Sequence, residues 1–294
     1  MPDVGPVALV TCSAHPEGGP SDAALVAALA EVGLEARWAV WDDDEVDWTG
    51  FALAVVRSTW DYTARLDEFL AWVARAGAAT ELWNPPALLR WNSHKGYLLE
   101  LAQRGVPVVP MVLVRAWEAC PDLGRLVQAN GWDAFVVKPA VDVGGFGASR
   151  WGPADLAAAT TELDRLHAGG DVLVQRFVPE VLEAGETSVV FLGGRFSHAV
   201  RKQPSPGEFR VQAHHGGHET PVPALPDEIR LGRQVLGALE LPTLYARVDC
   251  VAVDGAPVLM ELEVLEPDLF CDLDELAPAR FAAAVAAHLV VEPG

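Results

Sequence analysis

FVVKPAVDVGGFGASRW, Phe135–Trp151, ends an apolar run in a lone lysine and then enters a stretch with three glycines. A Walker A loop carries its lysine after the glycines, as G-x-x-x-x-G-K-[ST], and a Rossmann fingerprint needs G-x-G-x-x-G between a first strand and a helix. Here Lys138 precedes Gly144, Gly145 and Gly147, midway along the chain. Neither standard phosphate loop fits. What remains is a cation at a strand end, followed by a flexible loop able to fold over whatever that cation holds.

The lysine is notable because the chain has so few. Only Lys95, Lys138 and Lys202 occur, against eighteen arginines. A lysine is a compact point charge suited to a phosphate oxygen at the end of a narrow approach. All three lie inside motif-like segments rather than in scattered surface positions.

The rest of the composition narrows the class. At 294 residues and 51% apolar, the chain can bury a sizeable core and is not disordered. Its net charge of -20 would repel a long polyanion, which argues against nucleic acid but leaves room for a small anion in a local basic pocket. No apolar run approaches the roughly 18 residues of a membrane span, and the first residues read as a strand rather than a signal peptide. Cys12, Cys120, Cys250 and Cys271 include no C-x-x-C pair, so they read as reduced thiols of a cytoplasmic protein. A small-molecule substrate is expected, and homo-oligomer formation is left open.

Strand and helix patterns alternate through residues 1–92, which predicts an α/β unit on a parallel sheet. Ser21 is the expected N-cap of its first helix and Gly33 the stop. N-P-P at Asn84–Pro86 marks a break. A helix is expected from about Ser93 to Arg104, opening a second unit at 93–173. A third unit is expected at 174–294, with hairpins at Gly193-Gly194 and Asp254-Gly255. All ten tryptophans lie before residue 152, consistent with a compositionally distinct C-terminal region.

The third unit carries acid. Asp249 sits in R-V-D-C and Glu261 and Glu263 in M-E-L-E-V. Residues two apart on a strand share a face, so pairing through Asp254-Gly255 would bring three carboxylates together. Magnesium suits such a set, because it takes oxygen ligands and shares them with phosphates; an exposed face of an amphipathic strand is the simpler alternative. The same unit carries base: Arg201 and Lys202 in V-R-K-Q, and Arg210 in G-E-F-R. H-H-G-G-H at His214–His218 matches no zinc-helix spacing and reads as a polar loop, or as a metal or base site.

Together these segments resemble the ATP-grasp ligases, in the style of bacterial glutathione synthetase and the ribosomal-protein glutamate ligases. N-S-H-K at Asn92–Lys95, V-V-K-P with its glycine loop, V-Q-R-F-V-P at Val174–Pro179, G-E-T-S at Gly185–Ser188, P-G-E-F-R at Pro206–Arg210 and the D…E-x-E end carry the likeness. V-V-R-S-T-W-D-Y at Val55–Tyr62 resembles a substrate-side loop of the same enzymes, so nearly the whole chain is covered. The resemblance implies an ATP-grasp fold: an α/β domain followed by two α+β subdomains that clamp ATP. It implies that Lys95 and Lys138 hold phosphates, that Gly144, Gly145 and Gly147 form a lid, and that Gln175, Arg176, Phe177 and Val178 bind adenine and Glu186 the ribose. Asp249, Glu261 and Glu263 would hold one or two Mg2+, although Glu263 stands where the family has asparagine. Arg210, Lys202 and Arg201 would face the transferring phosphoryl group. Arg57, Ser58, Asp61 and Tyr62 would face the carboxylate substrate.

The chemistry implied is ADP-forming ligation through an acyl phosphate. R-S-T-W-D-Y and F-S-H-A-V-R-K resemble the enzyme type that closes O-ureido-D-serine into a ring. An intermolecular dipeptide or glutathione-like ligase is the alternative, and an inactive nucleotide-binding module is the alternative of another class.

Overall fold

The computed structural model describes residues 5–290. The outer limits expected for the first and third units, residues 1–4 and 291–294, lie outside the described residues.

The first unit follows from its pattern. Val7–Thr11 and Leu53–Ser58 are buried throughout and need cover on both faces, which helices supply. β1 (Val7–Thr11), β2 (Ala36–Val40), β3 (Leu53–Ser58) and β4 (Glu81–Trp83) form a parallel sheet in the order β2-β1-β3-β4, with α1 (Leu25–Glu31) and α2 (Leu66–Ala79) between strands. Ser21 does not cap α1. It lies in a single 3-10 turn ahead of the helix and donates to Asp268 Oδ1 at 2.6 Å.

Asn84 is a joint rather than a free linker. It is fully buried, and its amide bonds the Tyr245 and Val264 carbonyls and the Leu244 N–H. Pro86 then opens α3 (Pro86–Asn92), since its fixed φ and missing N–H suit a first turn. The following helix is shorter than expected: α4 spans Tyr97–Gln103.

The second unit is an antiparallel sheet, β5-β8-β6-β7, built from β5 (Met111–Val114), β6 (Phe135–Pro139), β7 (Ser149–Trp151) and β8 (Val172–Arg176). α5 (Leu123–Asn130) and α6 (Leu156–His167) cover it. The boundary expected between 173 and 174 cuts β8, which pairs with β5 on one side and β6 on the other. The whole strand belongs to the second unit.

The third unit holds α7 (Glu180–Ala184), β9 (Glu186–Leu192), β10 (Arg195–Gln203), β11 (His218–Pro221), α8 (Pro226–Gly237), β12 (Tyr245–Val253), β13 (Ala256–Glu263) and α9 (Ala277–Val290). Its sheet is antiparallel, in the order β11-β10-β9-β12-β13. Asp254 and Gly255 both have positive φ, 51° and 79°. That geometry suits a tight hairpin turn and fixes a register with Asp249 opposite Glu261 and Arg247 opposite Glu263. Phe281, Ala282 and Val285 of α9 share one apolar cluster with Val7, Leu9 and Leu25, which ties the last helix to the first sheet. The three units therefore meet around one space.

Candidate active site

That space is a cleft of about 510 Å³ lined from all three units. Lys138 reaches it from the end of β6, and Lys95 from the turn before α4. Lys95 Nζ donates to Glu261 Oε1 at 2.6 Å and to the Asp142 carbonyl at 2.7 Å. Burial disfavours its charge, but Glu261 outweighs that and holds the ammonium above its usual range. Lys138 is also buried yet has no hydrogen-bond or ion-pair partner among the described residues, and burial lowers its pKa. Glu261 and Asp142 favour its charge without bonding it; a buried cation with no directly bonded counter-charge is costly, and an anion bound in the cleft would supply one.

The third lysine has the opposite setting. Lys202 Nζ lies 2.6 Å from Glu186 and 2.9 Å from Asp249. Asp249 also accepts from Ser188 Oγ at 2.6 Å, and from Arg247 Nε at 3.0 Å and Nη2 at 2.9 Å. A carboxylate offers about four lone-pair sites, and here they are filled. Burial would raise its pKa, but Arg247 and Lys202 overcome that and hold it far below the usual range. Asp249, expected as a metal ligand, is the anion on which Lys202 and Arg247 converge, and it is not among the residues that line the cleft.

Glu261 and Glu263 do line the cleft, two apart on β13. Glu263 is paired with Arg247, while burial holds its carboxyl above the ordinary range. Among the described residues no three His, Cys, Asp or Glu side chains are grouped as a metal site. Two glutamates remain, and two carboxylates completed by phosphate oxygens fit magnesium.

Arg201 does not face the cleft. Strand alternation that turns Lys202 inward turns Arg201 to the opposite side of β10, where it donates to Thr187 Oγ1 at 2.9 Å and the Ala184 carbonyl at 2.7 Å. Arg210 lines the cleft, held bidentately by Glu208 at 3.1 and 2.7 Å.

The glycine loop closes one side. Gly144 and Gly145 adopt φ of 65° and 68°, a region that costs an L-residue roughly 1–2 kcal/mol. The ring nitrogens of His214 and His215 approach the Gly144 carbonyl at 2.7 and 3.1 Å, and Phe146 stacks on His214 at 4.4 Å. The histidines thus form a polar loop beside the glycines. Gln175, Arg176, Phe177, Val178 and Glu186 line the adjoining wall, with Gln175 Nε2 buried and unpartnered.

Most of the first unit's expected contacts lie elsewhere. Arg57 is 1% exposed and pairs with Asp22 at 3.0 Å, while its Nη2 also donates to the Pro267 carbonyl at 2.9 Å. Ser58 is fully buried, with its hydroxyl 3.0 Å from that of Thr11. Asp61 accepts from Trp41 Nε1 at 2.9 Å. A strand buried on both faces points its last side chains into the core, which is why Arg57 and Ser58 miss the cleft. Tyr62 does line it, joined by His15 and Trp60.

Two family models match the chain: the N-terminal domain of D-cycloserine synthetase DcsG at residues 7–84, and the ATP-grasp domain of prokaryotic glutathione synthetase at 119–277. The cycloserine biosynthesis protein DcsG of Streptomyces lavendulae is 33% identical over 276 residues, 90% of this chain and 92% of that one. The chain belongs to the ATP-grasp ligases. A glutathione synthetase of Synechocystis is 28% identical over 71% of this chain and 62% of its own length. The crystal structure of D-cycloserine synthetase DcsG superposes with a TM-score of 0.88, covering 97% of this chain and all of that one at 33% identity. D-alanine–D-alanine ligase from Bacillus anthracis, complexed with ATP, shares the fold at a TM-score of 0.68 and 13% identity over 98% of each chain.

As an ATP-grasp ligase the protein is an ADP-forming enzyme that makes a C–N bond. Its cleft contains residues that sequence reading passed over: His15, Trp60, Arg247, Glu266 and Asp268. Arg247 had a signal, since it lies two before Asp249 and shares its face. Trp60 lay inside the R-S-T-W-D-Y stretch. Glu266 and Asp268 follow the E-x-E strand in an irregular segment, where no periodicity points to them.

Proposed function

We propose that this ATP-grasp ligase cyclises O-ureido-D-serine to D-cycloserine. The match of residues 7–84 to the D-cycloserine synthetase N-terminal domain carries this reading. ATP chemistry is common to the superfamily, whereas the first unit contributes His15, Trp60 and Tyr62 to the lining of the cleft and so bears on substrate choice.

Lys95 and Lys138 hold the ATP phosphates, and Gly144, Gly145 and Gly147 fold over them. Gln175 to Val178 take the adenine and Glu186 the ribose. Glu261 and Glu263 hold magnesium, which neutralises phosphate charge when bound. A substrate carboxylate oxygen attacks the γ-phosphorus and ADP leaves, giving an acyl phosphate. The substrate's own oxygen-bound ureido nitrogen then attacks the acyl carbon and phosphate leaves; water adds to the carbamoyl carbon and frees the ring nitrogen, and the group departs as carbamate, which breaks down to ammonia and carbon dioxide. Arg210 and Lys202 offset the charge that develops on the phosphoryl oxygens. Closure of the glycine loop keeps water from the acyl phosphate. The four cysteines are free, in keeping with a reducing cytoplasm.

The match to glutathione synthetase favours a second reading, intermolecular ligation to a separate amine. One experiment separates the two: ADP release with ATP and magnesium across small amino acids including O-ureido-D-serine, with and without added amine, products read by mass spectrometry. Ring closure is expected from O-ureido-D-serine alone. ADP release only when an amine is added would replace cyclisation with the second reading.

A further inference from the structure

The segment after β13 has no regular structure, yet it is held rigidly. Six successive carbonyls, Val264 to Leu269, each accept a side-chain hydrogen bond. The donors are Asn84 at 2.7 Å, Tyr245 at 2.8 Å, Trp60 at 3.1 Å, Arg57 at 2.9 Å, Arg247 at 3.1 Å and His198 at 2.8 Å. Irregular backbone inside a protein must be satisfied in this way, but six long-range donors also fix where its side chains point. Two of those side chains, Glu266 and Asp268, line the cleft.

Asp268 is satisfied, since its Oδ1 accepts from Ser21 and from the Phe270 N–H. Glu266 is not. It is 7% exposed, and its carboxylate accepts from its own backbone N–H but has no side-chain hydrogen bond or ion pair among the described residues. The cations nearest to it electrostatically are Lys95 and Arg247, and both are bonded to other carboxylates. Glu261, Glu263, Tyr62 and Tyr245 add negative or potentially negative charge around it. Burial pushes its carboxyl up to about 7. Trp60, Tyr62 and Phe270 line the same cleft, and aromatic faces attract cations. A buried carboxylate without an ion pair of its own, in a cleft with aromatic lining, is a receptor for a cation brought by the ligand.

We infer that Glu266 receives the ammonium group of the amino-acid substrate, and that the carbonyl-pinned segment exists to hold it there. The inference rests on an amino-acid substrate as proposed above and adds the group that reads its amine. Arg57 and Trp60 then act through the backbone as positioning residues.

The test compares O-ureido-D-serine with its des-amino counterpart, 3-(ureidooxy)propanoate, titrated by calorimetry into enzyme loaded with magnesium and a non-hydrolysable ATP analogue. Charged hydrogen bonds of this kind make wild-type enzyme favour the amino form by about 10- to 100-fold. Glu266→Gln keeps the shape and removes the charge. It should weaken the amino form by that factor, leave the des-amino form and the ATP analogue within about 3-fold, and so abolish discrimination. Retained discrimination in Glu266→Gln, or equal loss for both ligands, overturns the inference. If wild type ignores O-ureido-D-serine but releases ADP with another amino acid, cyclisation falls; the same comparison with that acid and its des-amino form then decides on Glu266. Wild type that binds no amino acid better than its des-amino form overturns the inference outright.

Discussion

Lys95 Nζ and Glu261 Oε1 lie 2.6 Å apart, while Lys138 faces the same cleft unpaired. The two lysines proposed to hold phosphate therefore differ in what their removal does. Lys138→Ala deletes a buried charge that no carboxylate in the protein bonds directly, and whose burial outweighs the attraction of Glu261. We expect ADP formation to fall by about 10²- to 10³-fold with thermal stability unchanged or raised. Lys95→Ala strands Glu261, so activity loss should come with about 1–3 kcal/mol of destabilisation. Parallel ADP assays and thermal melts check both, and a melt that drops for Lys138→Ala would contradict the unpaired state.

Asp249→Asn should look like a structural lesion as well as a catalytic one. It removes the shared counter-charge of Lys202 and Arg247, both buried, at about 3–5 kcal/mol. The pH dependence has a definite sign. Asp249 is held below the unfolded carboxylate range, so its contribution is present above about pH 4 and is lost as pH falls further. Urea unfolding between pH 7 and pH 2 should show the gap between wild type and variant holding down to about pH 4 and narrowing below it.

Arg57→Ala should damage the enzyme without touching substrate. It leaves Asp22 buried and unpaired and frees the Pro267 carbonyl, with an expected loss of about 3–5 kcal/mol. Surviving folded enzyme should bind the ATP analogue normally and the amino acid poorly, because the segment carrying Glu266 is released. Calorimetry below the melting transition tests this, and normal amino-acid affinity would count against the positioning role.

Glu266 should make the ligand-free enzyme less stable as pH rises. Its folded-state pKa is raised from 4.5 to about 7 by burial. Stability is therefore full below about pH 4.5 and declines until pH passes 7. Glu266→Gln removes that slope. The variant should gain on wild type between pH 5 and pH 8 by on the order of 2–3 kcal/mol, read from melting curves without substrate. Parallel curves for the two proteins would mean that the carboxyl is not deprived of solvent.

Gly144→Ala should slow the lid. A Cβ there would meet His214 Cε1 at 2.8 Å, and φ is 65°. We expect a lower kcat and more acyl phosphate lost to water, seen as ADP release exceeding product. Tight coupling with unchanged kcat would exclude the loop as a barrier to water.

Much of this protein was legible in the chain itself. Buried β-branched runs between amphipathic helices specified a parallel first sheet. Asp254-Gly255 specified the hairpin that pairs Asp249 with Glu261. Lys138 at a strand end before Gly144 and Gly145 marked one lining of the cleft, the one proposed to hold phosphate, because a lone lysine and flexible glycines are local features that survive in one dimension. What only the tertiary structure decided is which charges are spent on one another. Arg57, Arg201 and Asp249 carry the residue types that chemistry needs, and their motifs look functional. Yet Asp22 neutralises the first, strand alternation turns the second away, and Lys202 with Arg247 saturates the third. The reverse holds for Glu266, which sits in a segment without periodicity and stands unpaired in the cleft because six distant side chains hold its backbone. Pairing of charge is a property of distance in space, and spacing along a chain does not encode it.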